Sequence, residues 1–433
     1  MSRGTKTAHS GTWPKACGGP ESPASSTDAI PAGKAVSAAL YIHIPFCTRR
    51  CGYCDFFTVA GQAAAIPDYL QAVERELGIY ARQPQISALH FETLYFGGGT
   101  PSLLSPAQVG HLIELATRRF DFAPDPEITL EVNPETVTEA KLRGFRAAGV
   151  HRLSFGVQSF RPQELAFLER AHSVGQAERC FEAARRVGFH NLSLDLIYGL
   201  PGQTRASWEE NLHRACALAL EHISAYNLTF EAGTPLTRRL RAGEFRSLPD
   251  ARQRDLHLRT MELLRANGYE HYEISNYCRP GFRSRHNCKY WDGSPYLGLG
   301  ASAHSFVGSR RFWNVRGLKS YLDSLKRDVL PLAGEECLSP EQVSFERVFL
   351  GLRQRRGVRL RDFDATSGVS FFERFQKPLH KLFSADLRNP RLLSGLLDGT
   401  LSLESPWLKI EAGFLRLTDQ GVVLCDAICA EFI

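Results

Sequence analysis

The sequence predicts an α/β fold: an incomplete barrel of six βα units, (β/α)6, followed by a small winged-helix-like domain. Two observations carry this. From Ala39 onward, short strand-like runs alternate with amphipathic segments, the sign of a parallel sheet built from βα crossovers. The polar residues fall directly after successive strand candidates, and in a barrel such positions converge on one mouth.

The strand candidates are Leu40–Ile44, Thr93–Phe96, Ile128–Val132, Arg152–Phe155, Leu192–Ile197 and Ile223–Leu228. Between them, Tyr69, Leu70, Val73, Leu77 and Tyr80 line one helical face, and Ala177, Cys180, Phe181, Ala184 and Val187 line another. Right-handed crossovers repeated in this way give either a doubly wound sheet or a curled, incomplete barrel. The polar residues decide for the barrel: a cysteine loop, Gly97-Gly98-Gly99-Thr100-Pro101, Glu131-Val132-Asn133-Pro134, Gln158-Ser159, and Asp195 beside Tyr198-Gly199-Leu200-Pro201.

Residues 1–38 are rich in Gly, Ser, Ala and Pro and read as a disordered extension, since they cannot repay the entropy of ordering. Residues 39–310 are expected to form the barrel core, 311–337 a linker with a helix, and 338–433 the C-terminal domain. That last segment has a helix-like start at Pro340–Gly351 and a strand pair ending at Phe414-Leu415-Arg416-Leu417. Thr418 is placed to cap a following helix through Ile428.

At 433 residues the chain accommodates one barrel plus a smaller domain, and 43% hydrophobic with 23% charged residues permits a sizeable core without metal or disulfide staples. A net charge of +6, from 52 basic and 46 acidic residues, is too small to imply nucleic acid. Arg353, Arg355, Arg356, Arg359 and Arg361 form a basic run without interleaved stacking aromatics, so it reads as a solvated face. No apolar core of signal-peptide or membrane-span length occurs, and Glu21, Asp28 and a single arginine argue against a transit peptide; a soluble cytoplasmic protein is expected.

The chemistry centres on Cys47-Thr48-Arg49-Arg50-Cys51-Gly52-Tyr53-Cys54. Three thiolates on one loop can each bind one iron of a [4Fe–4S] cube and leave the fourth iron open to a small molecule. Half a zinc site is the alternative, because closely spaced cysteines are common zinc ligands. The other cysteines show no paired framework, and eleven is an odd count. Glu131 and Asp195 are acids in otherwise apolar strands and need partners, either a salt bridge or the hydroxyls and ammonium of a nucleoside-like cofactor.

Over about residues 40–310 the chain resembles the radical S-adenosylmethionine superfamily, through its Cys-x3-Cys-x2-Cys loop with Tyr53 before the last cysteine. Within it, the sequence is similar to the oxygen-independent coproporphyrinogen III oxidase family. The matching stretches are Tyr41-Ile42-His43-Ile44-Pro45-Phe46-Cys47, Gly97–Pro101, Gly156-Val157-Gln158-Ser159-Phe160 and Asp195–Pro201. The resemblance implies a [4Fe–4S] cluster on Cys47, Cys51 and Cys54, and S-adenosylmethionine against Tyr41, Tyr53, Gly99, Thr100, Glu131, Gln158, Arg170 and Asp195.

Two departures from the true oxidases point to a heme-chaperone branch of this family. The oxidases carry a fourth cysteine two residues past the loop, where this chain has Asp55-Phe56. Further on, Tyr272-Glu273-Ile274-Ser275-Asn276-Tyr277 leads to His286-Asn287-Cys288-Lys289-Tyr290-Trp291, matching that branch's heme-binding HNxxYW motif. A neutral imidazole can ligate heme iron and flat aromatic side chains can cover a porphyrin, so His286 is the expected ligand, with Cys288 and His304 as alternatives. The resemblance then implies heme transfer to acceptor hemoproteins of the respiratory chain, an electron donor, and room for a homodimer and for peripheral membrane contact. The competing function is oxidative decarboxylation of coproporphyrinogen III to protoporphyrinogen IX; a zinc-stabilised binding module is the third.

Overall fold

Six parallel strands form the centre of the molecule, side by side in the order in which they occur along the chain: Val36–Ile44, Leu89–Gly98, Asp121–Val132, Arg152–Gln158, Asn191–Tyr198 and His222–Asn227. This computed structural model describes residues 36–385, 387 and 389–433. A doubly wound sheet would reverse its strand order at a switch point. No reversal occurs here, and the first and sixth strands pair with other partners rather than with each other, so the barrel is incomplete as expected.

Side chains along each strand alternate with period two. Leu40, Ile42, Leu94, Phe96, Leu130, Leu153, Phe155, Leu192 and Leu194 are buried beneath the helices. The intervening residues are polar and meet one another inside the barrel. One row crosses five strands in register: Tyr41 pairs with Tyr95, Tyr95 with Thr129, Thr129 with Arg152, and Arg152 with Asn191. A neighbouring row runs through Glu131, Ser154, Ser193 and His222. The polarity of the interior is therefore a consequence of register.

The helices that cover the outside start at side-chain caps. Ser105, Ser173 and Thr204 each accept from the N3 amide and form full capping boxes for helices Pro106–Arg119, Val174–Arg186 and Arg205–Ala217. The two helical faces read from the sequence lie on helices Ile66–Ala81 and Val174–Arg186, and both pack into the main core.

The sheet is twice as wide as the six expected strands. Tyr296–Leu299 adds in parallel to the first strand, followed by antiparallel His304–Val307, Arg310–Asn314 and Leu332–Cys337; at the other edge lie Asn276–Cys278 and Glu270–Glu273. Residues 311–337 are thus not a linker but an edge of the sheet enclosing helix Leu318–Leu325. Val36, Ser37 and Ala38, read as part of the extension, begin the first strand; the remainder of that extension lies outside the described residues.

The C-terminal part opens with helix Pro340–Leu352 and builds a four-stranded sheet in the order Val358–Arg359, Phe414–Leu417, Leu408–Glu411, Leu403–Glu404. Thr418 caps the next helix through the Gly421 amide at 3.0 Å, but that helix stops at Val423 and a second runs Cys425–Ala430. The basic run is only partly a solvated face. Arg353 lies 3.6 Å above the Phe349 ring and Arg355 pairs with Asp419, while the Arg355 amide donates to Tyr272 O at 3.0 Å and ties this part to the barrel. Among the described residues no helix is long and apolar enough to cross a membrane.

Candidate functional site

The cysteine loop leaves the end of the first strand and is zipped to the loop after the second. Gly99 N donates to Ile44 O at 2.9 Å and Thr100 N to Phe46 O at 2.8 Å. This close approach requires glycine at 99, where an added Cβ would stand 2.7 Å from the Pro45 carbonyl group. Gly98 is constrained differently: its φ is +110°, and a Cβ there would meet the His43 ring at 2.4 Å. The spacing of the glycines in sequence is thus the trace of two backbones packed against each other.

Each cysteine faces polar or cationic company. Thr100 Oγ1 donates to Cys47 Sγ at 3.4 Å, and Arg170 Nη1 to Cys51 Sγ at 3.5 Å. Arg170 is fixed by Asn133 Oδ1 and Gly156 O, both at 2.7 Å, and Asn133 Nδ2 in turn donates to Thr100 Oγ1 at 3.0 Å. Burial pushes the Cys47 thiol up to about 11, against the pull of the Thr100 hydrogen bond. Iron bound by these sulfurs would hold them as thiolates against burial, and the hydroxyl and guanidinium already point at them. Among the described residues no three His, Cys, Asp or Glu side chains gather about one point as the ligands of a single ion do.

Tyr53 packs with the apolar cluster of Leu168, Ile197, Leu200, Leu228 and Leu236 while its phenol stays near Arg170, Cys51 and Cys54, and the Leu236 amide donates to Gly52 O at 2.9 Å. Arg50, also on the loop, donates to Cys54 O at 3.1 Å.

Inside the barrel, Glu131 accepts from Tyr95 Oη at 2.9 Å and from the Gly98 amide at 3.1 Å. Burial nevertheless raises its carboxyl to about 7. Asp195 is raised by burial too, against hydrogen bonding from Ser224 and long bonds of 3.4 Å from Ser154 Oγ. Both acids keep acceptor capacity for hydroxyl or ammonium donors. Gln158 sits at a register shift between the fourth and fifth strands with φ of 71°, a left-handed conformation that is costly for a residue with a Cβ. Strain of this kind at a strand end is typical of a built site.

Helix Arg285–Trp291 closes the barrel from the side, starting at a Ser284 cap, and the Glu127 carboxylate accepts the His286 amide at 3.0 Å. His286 is buried: its Nδ1 lies 2.8 Å from Thr93 Oγ1 and its Nε2 lies 3.0 Å from Tyr290 Oη. Burial lowers its pKa to about 3, so the imidazole is neutral. Both ring nitrogens are engaged in this conformation, and a metal would have to displace Tyr290 to reach Nε2. Cys288 is half-buried, its thiol pushed up to about 11 by burial. His304 is exposed and stacked 5.8 Å from Trp313, across the sheet edge.

Asn133, marked in the sequence with Glu131, is joined in the site by Tyr95, Ser154, Thr93 and Arg152, which were not singled out from the sequence. Two of them were discoverable: Tyr95 lies two residues before Gly97 and Ser154 two before Gly156, so each shares a strand face with a recognised residue.

A curled, open row of six βα units with a three-cysteine loop at its mouth defines a radical S-adenosylmethionine protein. The family model of the radical SAM superfamily matches residues 41–215, and that of the HemN C-terminal domain matches residues 338–424. The chain is 40% identical over 396 residues to a heme chaperone HemW of Mycobacterium tuberculosis, covering 90% of this chain and 93% of that one. It is 36% identical over 397 residues to the heme chaperone HemW of Bacillus subtilis, covering 91% and 98%. The solved structure of Escherichia coli coproporphyrinogen III oxidase (HemN), a radical SAM enzyme, superposes with a TM-score of 0.75 at 25% identity over 92% of this chain and 90% of that one. The chain belongs to the HemW family.

Proposed function

We propose that the protein is a heme chaperone: it binds heme together with a [4Fe–4S] cluster and S-adenosylmethionine, and hands heme to acceptor hemoproteins. The observation that carries this reading is the placement of the His286–Trp291 segment directly against the acid-bearing barrel interior, in a chain similar to HemW over nine-tenths of its length. Cys47, Cys51 and Cys54 would hold the cluster, which when bound supplies an open iron for the amino acid end of S-adenosylmethionine and an electron. Thr100 and Arg170 offset the charge of the sulfurs. Glu131 and Asp195 offer acceptors to the ribose and ammonium, Tyr41 and Gly99 line the approach, and Gln158 holds the bulge that opens it.

His286, neutral and held at both nitrogens, is the reserve ligand for heme iron. Its release from Tyr290 frees Nε2 for iron, and in the tautomer with the proton on Nδ1, facing Thr93, no proton has to leave the ring. Acceptors of the respiratory chain, an electron donor, a cytoplasmic setting, peripheral membrane contact and a homodimer belong to this same reading and come from the family alone.

A second reading, oxidative decarboxylation of coproporphyrinogen III, is favoured by the HemN superposition. Asp55 and Phe56 weigh against it. Phe56, at the position of the oxidases' fourth cysteine, is 68% exposed and offers no thiolate. One experiment separates the readings: anaerobic cluster reconstitution, heme titration and a coproporphyrinogen assay on the same sample. Heme uptake without turnover supports the chaperone; turnover to protoporphyrinogen IX replaces it.

A further inference from the structure

Arg152 is 2% exposed, yet among the described residues no carboxylate lies within 4.0 Å of its guanidinium and no hydrogen bond satisfies it. A buried cation left in this state is costly, and a fold that keeps one holds it for a partner. Register aims it inward. Arg152 stands in the cross-strand row between Thr129 and Asn191, and Thr129 Oγ1 and Asn191 Oδ1 are likewise buried without partners. The same row continues through Tyr95 to Tyr41, the two rings that flank His286.

The surroundings select an anion. The Arg152 charge acts on Glu131 and Asp195 toward the mouth and on His222 and His286 deeper in the barrel. Both imidazoles are kept neutral by burial, so they add no competing charge. A guanidinium presents paired donors that match a carboxylate, and the Thr129 hydroxyl beside it can add a third. The amino acid end of S-adenosylmethionine belongs elsewhere, because it is the cysteine loop, served by Arg170, that faces the other end of the fourth strand.

We propose that Arg152, with Thr129 beside it, receives a propionate carboxylate of the cargo porphyrin inside the barrel, so that heme is held at two points, iron on the His286 side and carboxylate on Arg152. This inference rests on the heme-chaperone reading.

The test compares heme with heme dimethyl ester, whose propionates are capped, on the reconstituted full-length protein, together with S-adenosylmethionine binding, in wild type, Arg152→Lys and Arg152→Met. Wild type should prefer free heme over the ester by roughly one to two decades, the scale of one charged hydrogen-bonded contact. Arg152→Met should bind both forms as weakly as wild type binds the ester, Arg152→Lys should recover part of the preference, and S-adenosylmethionine affinity, weakened in Arg152→Met by loss of the charge beside Glu131 and Asp195, should be restored in Arg152→Lys. Equal wild-type affinity for heme and ester overturns the proposal, and this arm needs no variant to fold. Arg152→Met that retains the preference, or that loses S-adenosylmethionine in place of heme, overturns it as well. Wild type that binds neither porphyrin fails the chaperone reading itself, and the inference falls with it.

Discussion

The His286 ring lies 4.8 Å from that of Tyr95, with their planes 27° from parallel, and the Tyr95 hydroxyl donates to Glu131. One side chain thereby joins the segment expected to take heme to the acid expected to take S-adenosylmethionine. A shift of the His286 ring on binding heme would reach the Glu131 donor through this stack.

Replacing Tyr95 by Phe keeps the stack and removes the hydrogen bond. Burial holds the Glu131 carboxyl up at about 7, and the Tyr95 donor pulls it down. Without that donor the pKa rises further, so less carboxylate is present near neutrality. S-adenosylmethionine binding that uses ionised Glu131 should strengthen as pH rises through 7 in wild type, with the midpoint displaced to higher pH in Tyr95→Phe. Calorimetry at pH 6, 7 and 8 reads this out; a pH-independent affinity in both proteins would remove Glu131 from the site.

The cluster assignment makes a sharper demand. Cys47→Ala, Cys51→Ala or Cys54→Ala should each lose iron and the visible absorbance of the reconstituted protein, while Cys288→Ala keeps both. Iron and sulfide analysis decides, and full iron content in Cys51→Ala would falsify the three-cysteine ligand set.

What the sequence disclosed and what it hid follow a physical line. Cys47, Cys51 and Cys54 share one loop, and Gly97–Thr100 and Glu131 sit at the ends of strongly apolar strands, so local spacing alone located them. Arg152 and Thr93 act through neighbours on other strands, and their role depends on register, which period-two patterning does not specify between strands. The added sheet edges were missed because segments such as Asn276–Cys278 and Tyr296–Leu299 are three or four residues long, too short to show alternation. The full engagement of His286 was equally hidden: the motif names the residue, and only the fold brings Thr93 and Tyr290 to its two nitrogens.

Glu76 supports the barrel edge, and its ionisation should be visible in stability. The buried carboxylate accepts from Tyr321 Oη and Asn314 Nδ2 at 2.6 Å and from Gly300 N at 2.8 Å, and burial still raises its pKa from 4.5 to about 7. Because the folded pKa is the higher one, the folded state binds the extra proton. The contribution is greatest below pH 4.5 and is lost as pH rises to about 7, a change on the order of 3 kcal/mol. Thermal unfolding of wild type and Glu76→Gln should therefore diverge with pH, wild type losing ground to the variant from pH 5 to pH 8. Parallel curves would mean that Glu76 stays ionised in the fold.

Heme binding should respond in opposite directions to the two ends of one hydrogen bond. In His286→Ala the expected axial nitrogen is gone, and the ligand-field spectrum of bound heme should change while cluster content stays normal. In Tyr290→Phe the phenol that occupies Nε2 at 3.0 Å is gone, so the imidazole no longer has to exchange that bond for iron. A neutral hydrogen bond is worth about 0.5–1.5 kcal/mol net, so heme affinity should rise by roughly twofold to tenfold with an unchanged spectrum. Loss of the axial signature in Tyr290→Phe, with His286→Ala unaffected, would instead make the tyrosine the ligand. An unaltered spectrum and affinity in both variants would move the site to Cys288 or His304.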